Sequence, residues 1–234
     1  MDRFLDFLTG LDWSPLIISL KTGVVATVIS FFLGIFAARR VLSAGPKIKA
    51  IADGFLTLTL VLPPTVVGFV LLLIFSLRRP FGSLLYGTFD IRVVQSWLGC
   101  IIAATVIAFP LMYRNARAAF EQVDVNLIYA ARTLGLSETK VFWKVVMPTA
   151  GPGIASGTIL TFARALGEYG ATSMLAGNIP GKTSTISQRI AMVIQDGDYV
   201  TAGFWVVVIS LIAFVIIVAM NLVATGSIKN MKRW

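Results

Sequence analysis

Long apolar runs separated by short polar stretches organise this chain, and no sustained period-two alternation of the kind that marks strands is evident. A bilayer core of about 30 Å needs about 20 mostly apolar helical residues. Five segments approach that requirement: 16–38, 54–77, 93–113, 148–174 and 199–223. The pattern therefore predicts an all-α, polytopic membrane helix bundle of five transmembrane helices forming one domain over 1–234. Two connections are long enough to carry function, 114–147 and 175–198. No internal repeat or low-complexity segment is evident.

Five spans put the two ends of the chain on opposite sides, so the basic residues can test the arrangement. With the N-terminus outside, the inside segments collect Arg39, Arg40, Lys47, Lys49, Arg114, Arg117, Arg132, Lys140, Lys144, Lys229, Lys232 and Arg233. The outside segments hold only Arg3, Arg78, Arg79, Arg92, Lys182 and Arg189, while Lys21 and Arg164 fall within spans. The acids lean the other way, with Asp53, Glu121, Asp124 and Glu138 inside and Asp2, Asp6, Asp12, Asp90, Asp196 and Asp198 outside. An N-out, C-in orientation is expected.

Composition agrees with lipid as the solvent: 57% of residues are hydrophobic and 13% charged, too apolar for an ordinary soluble domain. The net charge of +9 is mostly topology. A nucleic-acid partner is not expected, because the cations sit between apolar runs and not on one soluble face; contact with anionic membrane lipid is a minor alternative. One cysteine, Cys100, and no histidine leave neither a disulfide framework nor a familiar metal site. No catalytic residue, metal or cofactor is expected on this chain. The stretch from Met1 to Trp13 has Asp2, Asp6 and Asp12 and no basic leader pattern, so the first span is expected to act as its own insertion signal.

Within 114–147, Asn126 can cap a short helix that places Leu127, Ala131 and Leu134 on one face, with Gly135 closing it. Ala130 and Ala131 permit close approach of another surface. Such a helix either docks a partner or merely connects two spans along the membrane surface. On the fourth span, Arg164 and Glu168 lie one helical turn apart, and charges within hydrocarbon persist when paired or facing water. They read either as a salt bridge tightening the bundle or as part of an anion pathway, where a guanidinium offers forked donors. Pro63 and Pro64 interrupt the second span and must kink or break it, either for packing or to line a pathway. Gly151-Pro152-Gly153 predicts a hinge at the start of the fourth span.

These segments carry a resemblance. Ala130-Ala131, Gly135 and Val145-Val146-Met147-Pro148 resemble, in residue type and spacing, the EAA signature of bacterial ABC importer permeases, with Tyr129 where the signature has Glu. The run Ala163-Arg164-Ala165-Leu166-Gly167-Glu168-Tyr169-Gly170 is similar to the sulfate and molybdate permeases of that group, and Asn178-Ile179-Pro180-Gly181-Lys182-Thr183 to the molybdate branch, with Lys182 replacing an acid. Leu62-Pro63-Pro64-Thr65-Val66-Val67-Gly68 and Phe109-Pro110-Leu111-Met112 add to the match.

The resemblance implies a type I ABC importer permease fold in a bacterial inner membrane. It implies coupling to an ATPase through Ala130, Ala131, Leu134 and Gly135, and a translocation pathway near Arg164, Glu168, Pro63 and Pro64. It also implies a molybdate-binding-protein contact at Asn178, Pro180 and Lys182. The chain lacks a G-x-x-x-x-G-K-[ST] phosphate loop, so ATP would be used by a partner. The implied assembly is a homodimer with two ATP-binding cassette subunits inside and an extracytoplasmic molybdate-binding protein outside. Sulfate, thiosulfate or tungstate are alternative cargoes. A gradient-driven secondary transporter is the rival of another class, which the lack of an internal repeat disfavours; a membrane enzyme lacks a clustered nucleophile and base.

Overall fold

The computed structural model describes residues 9–231, and the side chains of residues 9–222. Arg3, Asp2, Asp6, Lys232 and Arg233 of the charge argument lie outside the described residues, as does the side chain of Lys229. Helix α1, Ser14–Leu42, opens with Pro15 in its first turn and ends on Arg39 and Arg40, which complement the carbonyl end of the helix. One stripe of α1, Ser19, Gly23, Ala26, Thr27, Ser30, Gly34 and Ala38, is small and buried. It packs mainly against helix α5, Trp97–Glu121, and at Gly23 against Phe162 and Leu166. A Cβ on Gly34 would lie 2.7 Å from Met112 Cγ and 3.1 Å from the Tyr113 amide nitrogen. Small residues let backbones approach, which is how helices associate when lipid tails are as apolar as the side chains.

Three helices, α1, α5 and the helix Tyr199–Met231, are each long and apolar enough to cross a membrane. Two further crossings are available as bent pairs. The segment Pro46–Leu60, which opens with helix α2, Pro46–Thr57, meets helix α3, Pro64–Phe75, at 104°, and Glu138–Thr149 meets Gly151–Leu166 at 71°. The single apolar run 54–77 thus contains a break, not a gentle kink: a short 3-10 turn at Leu58–Leu60 runs into Pro63, whose extended ψ of 136° redirects the chain, and Pro64 begins a new helix. Two residues in succession lack amide donors, so the hydrogen-bond ladder cannot cross them.

Two sequence expectations shift for physical reasons. The connection 114–147 begins later than hydropathy suggests, because α5 continues through the charged residues Arg114 and Arg117 to Glu121; polarity marks where a helix leaves the apolar layer, not where it ends. Between the second and third spans lies helix α4, Pro80–Phe89, with Pro80 in its first turn and Asp90 at its end in the left-handed conformation. Among the described residues the further helices are α6, Val125–Thr133, the widened segment α7, Glu138–Thr149, then α8, Gly151–Leu166, α9, Gly170–Ala176, α10, Ile186–Gln195, and α11, Tyr199–Met231.

Helix α2 has no buried residue and is tied to α5 by charge as well as by the partly buried Ala52 and Leu56. Lys49 Nζ lies 2.7 Å from Glu121 Oε1, Asp53 pairs with Arg117 and accepts from the Tyr113 hydroxyl, and Arg117 Nε donates to Glu121 at 3.1 Å. Asp53→Asn should weaken this tie by about 1 kcal/mol, since the groups are partly exposed. Hydrogen exchange should then accelerate over residues 46–57 while the centre of α5 stays protected; equal protection in both proteins would show that apolar contacts hold α2.

Candidate functional site at the paired helix breaks

The fourth apolar run breaks like the second. Helix α8 ends at Leu166, three residues intervene, and α9 starts at Gly170. The two breaks meet. A Cβ on Gly170 would stand 3.1 Å from Pro64 Cβ and 3.2 Å from the Thr65 amide nitrogen. One turn on, a Cβ on Gly68 would stand 2.7 Å from Ala171 Cα and 2.9 Å from its carbonyl oxygen. The starts of α3 and α9 therefore touch, bringing Pro63, Pro64 and the Arg164–Glu168 segment to one place in the bundle.

Arg164 NH1 donates to Glu168 Oε2 at 2.8 Å, while Glu168 Oε1 accepts from the Ala171 amide at 2.8 Å. The carboxylate thereby caps α9 and satisfies a donor that the broken helix would leave open. Exposure is unequal: the Glu168 side chain is 2% exposed and that of Arg164 33%. Glu168 is thus structural as well as charged, and Arg164 is the member that an outside group can reach. A guanidinium one-third exposed suits an anion, and the buried carboxylate keeps the local charge balanced.

At the second candidate segment, the cap is Asp124 instead of Asn126: its carboxylate accepts from the Asn126 amide at 2.9 Å. Asp124 sits where the chain is still extended, whereas Asn126 is already inside the helix. Gly135 closes α6 as expected. With φ at 75°, its amide donates to the Arg132 carbonyl at 2.9 Å, and the Leu136 amide reaches the Ala131 carbonyl at 3.2 Å. This is a Schellman ending, and the left-handed residue favours glycine. Arg132 then grips Glu138 with two bonds, 2.7 and 3.0 Å, clamping the turn. The Arg132 guanidinium holds the Glu138 carboxyl below its ordinary range. A lowered carboxyl stabilises the clamp above the ordinary glutamate range and loses it as pH falls through the lowered value, so near neutrality it is closed.

The common face drawn from spacing does not hold throughout. Leu134 is 82% exposed and Ala131 only 5%. Leu134 occupies the cap after the last helical residue, where helical spacing no longer applies. Ala130 and Gly135 are exposed with Leu134, as are Leu127 and Tyr129, while Ala131 packs inward.

Near the hinge Gly151-Pro152-Gly153, a cleft of about 320 Å³ opens between α5 and α8, lined by Asn115, Gln122, Thr149, Pro152 and Ser156 among others. Sequence patterning does not reveal it, because its wall combines residues more than 25 positions apart on two helices.

The segment 177–188 is tightly held. Ile179-Pro180-Gly181-Lys182 forms a turn closed by the Lys182 amide on the Ile179 carbonyl at 3.0 Å, with Gly181 at φ 71°. Behind it, the buried Gln188 donates to the Gly177 carbonyl and accepts from the Thr185 amide, both at 2.9 Å. The Ile186 amide donates to Ser19 Oγ of α1 at 2.8 Å. Asn178, Pro180 and Lys182 stand exposed on this rigid tip. The anchors Ser19, Thr185 and Gln188 escaped sequence reasoning, although Thr185 and Gln188 show capping-box spacing that could have found the helix they begin.

Comparison with known proteins gives these features a context. Residues 30–233 match the family model described as binding-protein-dependent transport system inner membrane component. The chain is 45% identical to the molybdenum transport system permease protein ModB of Escherichia coli (strain K12) over 188 residues, covering 80% of this chain and 82% of that one. It is 35% identical to the sulfate transport system permease protein CysT of Salmonella typhimurium over 155 residues, covering 66% of this chain and 56% of that one. In fold it is similar to a chain of the inward-facing MetNI methionine ABC transporter, with a TM-score of 0.71 at 18% identity, covering 91% of this chain and 94% of that chain. With a family model spanning most of its length, this chain belongs to the binding-protein-dependent transport system inner membrane components, the multi-pass permeases of bacterial inner membranes.

Proposed function

We propose that this chain is the permease subunit of an ATP-binding cassette importer that carries molybdate across the inner membrane. The observation that carries the reading is the meeting of two helix breaks beside the Arg164–Glu168 pair. A pathway for an oxyanion needs attraction without a trap, since conduction requires entry and release. Arg164 attracts; Glu168 restrains. Molybdate is favoured over sulfate because the molybdenum relative matches at higher identity and over more of its own length.

In this reading five spans run N-out to C-in as one domain, with each bent pair crossing as a broken helix. Two copies of the chain enclose the pathway. ATP is bound and hydrolysed by two partner subunits, each seated on Ala130, Leu134 and Gly135, with Ala131 supporting that surface from behind. An extracytoplasmic molybdate-binding protein delivers cargo to the tip formed by Asn178, Pro180 and Lys182. Closure of the ATPase pair moves α6 and α7, and the 71° bend at Ala150 converts that motion into a swing of α8. The cleft beside Pro152 leaves it room. The ligand shifts the balance of states only by binding one more tightly than the other.

Uptake of radiolabelled molybdate at nanomolar concentration, with and without the gene, tests the cargo. Loss on deletion, with competition by tungstate and little by excess sulfate, is expected; strong competition by sulfate would reassign the cargo. Docking is tested by Leu134→Asp. Because the side chain is 82% exposed, stability should move by no more than about 0.5 kcal/mol while uptake falls at least about tenfold. Undiminished uptake would remove Leu134 from the docking surface.

A further inference from the structure

We propose that the start of α1, the start of α5 and the turn at Gly181-Lys182 together form a binding site for a tetrahedral oxyanion, best matched by the phosphate of a membrane phospholipid. The three elements enclose a cleft of about 240 Å³ lined by Ser14, Ile17, Ile18, Lys21, Trp97 and Lys182. Two lysines from segments 161 positions apart thus line one recess. Among the described residues neither has a carboxylate within ion-pair distance. The nearest acid along the chain, Asp12, has both oxygens engaged by the Ser14 amide and hydroxyl, each at 2.9 Å.

Position makes the pair unusual. Lys21 lies roughly 10 Å along α1 from its start, by the helical rise per residue, in a span whose other side chains are nearly all apolar or small. A lysine at that depth reaches up to the headgroup level or finds an anion. The second wall is apolar and fixed. The Trp97 indole nitrogen donates to Thr22 Oγ1 at 3.0 Å, so the ring is held in one orientation, and Trp97 and Ile17 remain 39% and 49% exposed. Two cations above an apolar wall fit a phosphate that carries acyl chains better than a free inorganic ion, which would gain nothing from the wall. The site is distinct from the pathway at Arg164 and stands independently of the cargo assigned above.

Native mass spectrometry of the intact transporter titrated with dioleoylphosphatidylglycerol reads the first source of oxyanion, and equilibrium dialysis against radiolabelled molybdate reads the second. The double substitution Lys21→Gln with Lys182→Gln should weaken binding of the lipid by about tenfold or more, and Lys182→Glu should do the same by pairing with Lys21. Lys47→Gln, an exposed lysine elsewhere, serves as control and should leave binding unchanged. Loss of lipid binding in both cleft variants identifies a lipid phosphate; unchanged lipid binding with lost molybdate binding identifies the free anion. If both ligands bind all variants as they bind the unaltered protein, the site does not exist.

Discussion

Replacing Arg164 by alanine should abolish transport and destabilise the protein. The substitution leaves the Glu168 carboxylate, 2% exposed, with one amide donor and no counter-charge. Breaking a buried pair costs about 3–5 kcal/mol, and the one-third exposure of Arg164 places this case near the low end. Thermal unfolding in detergent should report that loss, and uptake the functional one. A second variant separates the two roles. Arg164→Met combined with Glu168→Gln removes both charges and retains an acceptor for the Ala171 amide, so stability should largely return. Uptake should not return if the guanidinium receives the anion as proposed, because that group is gone. Recovery of uptake together with stability would reduce the pair to a structural bridge.

The second large effect is expected at Gly68. Its neighbours are the backbone of Ala171 and the Cβ of Met174, with Ala171 Cα 2.7 Å from where a Cβ would stand. Backbone cannot rotate away as a flexible side chain would, so Gly68→Val must force α3 and α9 apart at the junction of the two breaks. Overpacking of this kind costs about 1–3 kcal/mol. Transport should fall more than stability, because the displaced start of α9 holds Glu168, the partner of Arg164. Gly203→Ala is the matched control, since nothing lies within 4 Å of a Cβ there. Wild-type uptake by Gly68→Val would show that the close approach is incidental.

Much of this was legible in the chain itself. The five apolar runs, the break at Pro63-Pro64, the turn that needs Gly135 and the Arg164–Glu168 pairing all follow from short-range rules: missing amides, a left-handed residue, a spacing of four. The meeting of the two breaks was not legible. It depends on Gly68 and Gly170 admitting another backbone, and a glycine in an apolar run gives no sign of what will approach it. The common face drawn for α6 was half legible, because Leu127 and Leu134 are both exposed whereas Ala131, which spacing joins to them, packs inward. Helices α4 and α10 were hidden inside connections, since hydropathy reports depth in lipid and not backbone conformation.

Helix α11 has the highest mean hydropathy of the three long spans, 2.9, yet only 6% of its most apolar stretch is buried within the chain. Its main contacts are with α8 and α10. Whatever covers the rest, acyl chains or another apolar helix, asks of most positions only that they remain greasy. Natural drift should therefore run faster along α11 than along the small-residue stripe of α1, with Leu, Ile, Val and Phe exchanging freely at its exposed sites. A library randomised among those four residues at Val206, Val207, Leu211 and Phe214 would keep most of its members active, whereas the same library at Gly23, Ala26, Ser30 and Gly34 would keep almost none.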